Sequence, residues 1–295
     1  MADLDTQMTE IGERVTQTLD ALLPPVDGPR GRVVEAMRYS ALSGGKRLRP
    51  FLVVSTARLY GVPDARSLRA AAALEMIHCY SLIHDDLPAM DDADLRRGKP
   101  SVHKQFDEAT AILAGDGLLT YAFEVAIAPE THDDPAVTAA LVRDLARAAG
   151  AEGMVGGQMI DLSGERDGLD LDGISELQRL KTGALIAYGC QAGCILGKSP
   201  DEDRIAFQSY TDNIGLAFQI ADDILDATAS EADLGKPAGQ DEAMNKATFV
   251  KLLGLDGARE KAEALVTRAC DALDRFDDRA DALRDVARFI VTRKS

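Results

Sequence analysis

Apolar residues in this chain recur at spacings of three and four, and alternation with period two is nearly absent, a pattern that predicts helices and almost no sheet. Helices are expected at roughly 6–23, 30–42, 50–60, 66–86, 108–128, 135–149, 151–163, 173–197, 201–228, 257–276 and 280–292. The prolines fall where this pattern pauses, positions at which a missing amide and a fixed φ cost a helix least. Two segments resist it: 87–98, and 230–246, which is rich in Gly, Pro and Asp. Each directly follows a cluster of aspartates. No fixed-period repeat or linker-like stretch divides the chain, so an all-α fold in a single domain, 1–295, is expected.

Composition narrows the function. With 46% hydrophobic residues the chain can bury a sizeable core. Its 49 acidic and 33 basic residues leave a net charge of -16, a balance that repels nucleic acid and excludes it as an expected partner. The four cysteines form no CxxC pair, the four histidines sit at no zinc-ligand spacing, and Cys190 and Cys194 share a helix face as packing residues. The first ten residues lack the basic start and apolar stretch of a secretory signal. The longest weakly polar run, 183–197, is too short and too rich in glycine to cross a bilayer, so a cytoplasmic protein without membrane insertion is expected.

The aspartates carry the chemistry. Gln219, Asp222, Asp223 and Asp226 stand at i, i+3, i+4 and i+7, which places them on one helical face, where like charges repel unless a cation lies between them. Their neighbours Gly215, Leu216, Ala217, Phe218, Ile220, Ala221, Ile224 and Leu225 are those of a buried helix. In the first cluster Pro88 clashes with the carbonyl of residue 84, so the helix should stop near Asp86 and the loop must bring Asp91 back, three carboxylates converging at a helix end. Oxygen ligands with no nitrogen or sulfur among them suit Mg²⁺, which keeps several waters and shares its shell with substrate phosphates. Cations are concentrated beside the clusters: Arg96, Arg97 and Lys99 after the first, Lys236 after the second, and Lys46, Arg47 and Arg49 in the glycine-rich 44–50. Arginine forks and lysine point charges both hold phosphate oxygens.

Residues 75–119, together with the motifs GGKRLRP, GGQMIDL, KTGALI and FQIADDILD, resemble the trans-prenyl diphosphate synthases over nearly the whole chain. The spacing DDxxxxD with Tyr80 upstream is most similar to the bacterial enzymes that make farnesyl diphosphate. The resemblance implies an all-α isoprenoid-synthase bundle, usually a homodimer, whose two aspartate segments face each other across a deep cavity. It implies Asp85, Asp91 and Asp222 as leading metal ligands, with Asp86, Asp223 and Asp226 completing the metal set, around three Mg²⁺ ions for which Mn²⁺ can substitute. Arg96, Lys181 and Lys236 would hold an allylic prenyl diphosphate, and Lys46, Arg49, His78 and Arg97 would hold isopentenyl diphosphate. Thr182 and Gln219 would turn oxygen dipoles to an allylic cation, with Gln158 and Asp161 on the same wall. Two departures stand out: Ala93 interrupts the acidic run Asp91-Asp92-Ala93-Asp94, and 245–249 matches the family's lysine-containing motif only loosely.

The expected reaction is ionisation, condensation and elimination, with the departing diphosphate as the base for the last proton and an apolar cavity excluding water. The family sets product length with bulky residues four or five positions before the first aspartate, here Ser81 and Tyr80. From 3.6 residues per turn, Ser81 lies about 40° and Tyr80 about 140° from the direction of Asp85, so Tyr80 can wall the cavity only from the side. A geranylgeranyl diphosphate synthase shares every motif and is the alternative. A non-catalytic partner subunit is disfavoured by the presence of both aspartate sets.

Overall fold

The computed structural model describes residues 2–167, 169–228 and 248–292, which are almost entirely helical. They pack into two compact units: Ala2–Arg143 with Ile195–Lys198, and Asp144–Cys194 with the described part of Ser199–Ser295.

The first unit is built on α4 (Asp64–Asp85), which packs against α1 (Ala2–Leu22), α2 (Gly31–Ala41), α3 (Leu48–Leu59) and α6 (Glu108–Ile127). The run Ala70–Ala73, Leu74, Met76 and Ile77 is buried, as befits a helix with neighbours on several sides. Small residues on α6, Ala111, Ala114, Gly115 and Ala122, let it lie close to α4. A Cβ on Gly115 would sit 2.1 Å from His84 Nε2, so the imidazole occupies the space that the missing side chain leaves. By length and composition alone α6 could cross a bilayer, a test that the core helix of a globular protein also passes. Its exposed face carries Ile112, Leu113 and Ile127.

Beyond α4 the chain forms a small hairpin, β1 (Leu95–Arg96) and β2 (Lys99–Pro100), with Arg97 and Gly98 both at positive φ in the turn. Its two-residue strands are too short for an alternating pattern to show in the sequence. A short α5 (Val102–Gln105) leads into α6, which Asp107 caps by accepting from the Thr110 amide at 2.8 Å. The unit ends within α7 (Pro135–Ala149).

In the second unit α11 (Asp201–Thr228) packs along α12 (Phe249–Ala272) and α13 (Asp281–Thr292). The buried Tyr210 donates its hydroxyl to the Leu283 carbonyl at 2.7 Å, tying α11 to α13. Helix α12 is kinked at Gly254 (φ 72°) and begins eight residues earlier than the pattern predicts, because Thr248 caps it by accepting from Lys251 N at 3.2 Å. The helix expected over 173–197 is three pieces: α9 (Leu171–Gln178), a π-helical turn Arg179–Gly183, and α10 (Ala184–Leu196). A single widened turn leaves the apolar spacing on either side intact, which hides it from a periodicity argument.

Candidate active site

Helix α4 ends at Asp85, as Pro88 requires, and the loop turns back so that Asp91 N donates to Asp85 O at 2.9 Å. The return of Asp91 is therefore as expected, but the convergence of three carboxylates is not. Asp86 is buried and turns to Arg96, whose Nε lies 3.0 Å from Oδ1 and 3.3 Å from Oδ2, while Nη2 also bonds Oδ1. Asp86 thus pairs with Arg96, because a buried carboxylate needs a cationic partner. Among the described residues no three carboxylate, imidazole or thiolate groups are drawn together closely enough to chelate an ion alone. The donor chemistry still fits Mg²⁺, since the half-buried Asp85 and exposed Asp91 supply hard oxygens at one helix end and leave room for water and phosphate ligands.

Next to this end lies a cluster of cations. His78, half-buried on α4, is held well below its ordinary pKa, first by burial and then by Arg49, Arg97, Arg47 and Arg96, so it is neutral at pH 7. Arg97 reaches back from the hairpin turn to donate to Gly44 O, and its guanidinium fills the place a Cβ on Gly45 would need. Arg47 is different from its neighbours: it is buried, with Nη1 2.5 Å from Glu75 Oε1 and Nη2 2.7 Å from Ala41 O. Sequence reasoning counted Arg47 as one loop cation among three and overlooked Glu75. The available signal was a lone acid inside the apolar run 70–77, which needs a buried partner. Arg49 and Arg97 have no carboxylate within ion-pair distance among the described residues. Lys46 is exposed at the same loop.

Of the two residues considered for chain length, Tyr80 is 6% exposed, its ring edge-on to His84 with centroids 5.7 Å apart. Burial, then the charge of Asp85, pushes its hydroxyl pKa up to about 12. Ser81 is half-buried, and its hydroxyl donates to the His78 carbonyl at 2.9 Å.

In the second unit the π-helical turn carries Lys181 and Thr182, both half-buried. Lys181 Nζ lies 2.5 Å from Asp161 Oδ2 on α8 (Met154–Asp167). The turn is gripped by glycines from two sides. A Cβ on Gly157 of α8 would fall 2.1 Å from Lys181 N, and one on Gly215 of α11 would be 3.3 Å from Gly183 Cα. Gln158, beside Gly157, has a buried side-chain nitrogen without a hydrogen-bond partner. A π turn splays out a residue that an α-helix would stack, and here that aims Lys181 at an acid one helix away.

On α11, Gln219, Asp223 and Asp226 are half-buried and Asp222 is exposed. Of the apolar neighbours read as those of a buried helix, Gly215, Ala217, Ile220 and Ala221 are buried and Leu216, Phe218, Ile224 and Leu225 are partly covered. Asp223 Oδ2 accepts from Phe249 N at 2.7 Å, so this carboxylate caps α12, a role the spacing did not foresee. Lys236 and residues 245–247 lie outside the described residues.

The chain is similar to known proteins over its whole length. The polyprenyl synthetase family matches residues 31–285. The farnesyl diphosphate synthase of Geobacillus stearothermophilus is 44% identical over 298 residues, covering 99% of each chain. A geranylgeranyl pyrophosphate synthase of Arabidopsis thaliana is 43% identical, covering 99% of this chain and 82% of the relative. The crystal structure of an FPP/GFPP synthase from Zymomonas mobilis superimposes with a TM-score of 0.89 at 47% identity, covering 98% of this chain and 99% of that one.

Proposed function

Because the chain belongs to the polyprenyl synthetase family and is a prenyltransferase, we propose that it condenses isopentenyl diphosphate with dimethylallyl and then geranyl diphosphate to give farnesyl diphosphate. The observation that carries this reading is the imbalance in the arginine cluster. Arg47 and Arg96 are neutralised by Glu75 and Asp86, whereas Arg49 and Arg97 flank a neutral His78 with no carboxylate within ion-pair distance. Such a group suits a diphosphate, whose oxygens accept from guanidinium forks and an imidazole N–H alike.

In this reading Asp85, Asp91, Asp222 and Asp226 would hold Mg²⁺, three ions with substrate present, or Mn²⁺. When bound, the metal offsets the charge that develops on the departing diphosphate. Arg96, Lys181 and Lys236 hold that diphosphate through its oxygens. Thr182 and Gln219 set their oxygen dipoles toward the allylic carbon as it loses its leaving group, and Gln158 lines the same wall. Lys46, Arg49, His78 and Arg97 fix isopentenyl diphosphate so that its double bond meets that carbon. The released diphosphate takes the final proton. The exposed Ile112, Leu113 and Ile127 on α6 support a homodimer covering that face, and a cytoplasmic setting and a single functional domain belong to the same reading.

A geranylgeranyl product is the second reading, favoured by the geranylgeranyl synthases among the relatives and opposed by the buried Tyr80. Pure protein incubated with Mg²⁺, isopentenyl diphosphate and dimethylallyl, geranyl or farnesyl diphosphate is expected to yield a fifteen-carbon product from the first two and little from the third. A twenty-carbon main product would decide for the second reading, and no condensation with any acceptor would end both.

A further inference from the structure

The buried pair Arg47–Glu75 lies beside the anion site, and nothing so far gives it a task. Arg47 is 4% exposed and Glu75 is 2% exposed. Arg47 stands at φ 49°, a left-handed conformation an arginine adopts only under constraint, and it is the last residue before α3. Its two terminal nitrogens are divided between Glu75 on α4 and the Ala41 carbonyl at the end of α2. Gly12 of α1 lies against its stem, a Cβ there being 3.6 Å from Arg47 Cγ. One side chain thus clamps the loop joining α2 to α3 onto α4. Lys46 precedes Arg47 and Arg49 follows two residues later, while His78 is one turn beyond Glu75 on α4.

We propose that Arg47 and Glu75 are positioning residues for the homoallylic substrate: their pairing fixes the register between loop 42–47 and α4, so that Lys46, Arg49 and His78 address one diphosphate. The inference rests on the function proposed above. Two physical effects of the pair have opposite signs. If Glu75 only set local charge, removing it would leave Arg47 unneutralised beside the site and strengthen anion binding. If it positions the loop, removing it releases Arg47 and weakens binding, because misplaced forks lose their two-point geometry.

The test compares wild type, Glu75→Gln and the charge-conserving double variant Arg47→Met/Glu75→Leu, which fills the buried volume without ions. Steady-state kinetics are expected to show KM for isopentenyl diphosphate raised about tenfold in both, the scale of one charge-assisted hydrogen bond, with KM for geranyl diphosphate and kcat little changed. Titration calorimetry of metal-free protein with inorganic diphosphate, with Arg49→Ala as the control for site occupancy, is expected to show the same loss. Tighter diphosphate binding in Glu75→Gln, or a double variant that binds as wild type does, overturns the positioning role. So does an equal loss in both KM values and kcat, which marks the pair as merely structural. Absence of condensation in the wild type would overturn the proposed function instead, and the calorimetric comparison would still decide the role of the pair.

Discussion

Arg96 holds Asp86 through both its Nε and Nη2, and the Asp86 side chain is only 3% accessible behind it. A carboxylate so enclosed is placed to orient a guanidinium. Asp86→Asn keeps the shape and removes the charge, so it should raise KM for the allylic diphosphate about tenfold by loosening Arg96. The Mg²⁺ concentration giving half-maximal activity should stay within about twofold. A large rise in that concentration with unchanged KM would make Asp86 a metal ligand.

Gly157 is where α8 touches the π-helical turn, with no room for a methyl group 2.1 Å from Lys181 N. Gly157→Ala should lower stability by about 1–3 kcal/mol through overpacking and reduce kcat by displacing Lys181 and Thr182. Thermal melting and single-turnover kinetics check it. An active variant of wild-type stability would show that the two helices separate at no cost.

Asp223 separates a cap from a metal ligand. Asparagine can still accept from Phe249 N, whereas alanine cannot, so Asp223→Asn should melt near the wild type and Asp223→Ala should lose about 1 kcal/mol. If capping is the main role, Asp223→Asn also keeps its Mg²⁺ dependence. The corresponding change at Asp222, which is exposed, should raise the Mg²⁺ concentration needed for half-maximal activity at least about tenfold.

His78 makes stability depend on pH in a predictable direction. Its folded pKa lies well below 6.5, so below that pH the unfolded chain binds a proton that the native protein refuses. Stability from this group is complete above 6.5 and falls as the pH drops toward the folded value. Melting curves between about pH 7 and 5 should therefore decline less steeply for His78→Gln than for wild type. Parallel curves would mean that the imidazole is charged in the folded state.

Tyr80→Ala opens a buried volume beside the first aspartates. It should cost about 2–4 kcal/mol and shift the product toward twenty carbons. Product analysis by chain length checks it, and a destabilised variant that still makes only the fifteen-carbon product would remove Tyr80 as the stop.

The helices around the candidate site were legible because their causes are local. Pro88 ends α4 where its ring collides with the preceding turn, and the i, i+3, i+4, i+7 spacing puts Gln219, Asp222, Asp223 and Asp226 on one face whatever lies opposite. Pairings were not legible, because a charge in a sequence does not reveal its partner. Arg47 reads like Lys46 and Arg49 until Glu75, 28 positions on, is found against it. Asp86 and Asp223 read as copies of Asp85 and Asp222 until Arg96 and Phe249 N claim them. The π-helical turn escaped for another reason: one residue added to a turn changes no residue type.

That added residue sits between two helices that keep their phase. The wide turn absorbs one extra position, so deleting one within Arg179–Gly183 would restore an ordinary helix and leave Leu185, Ile186 and Cys190 covered as they are now. A second insertion would not be absorbed, and at 3.6 residues per turn it would rotate α10 by about 100° relative to α9. The chain thus carries its extra residue at the place where Lys181 and Thr182 stand, and the packing on either side does not register it.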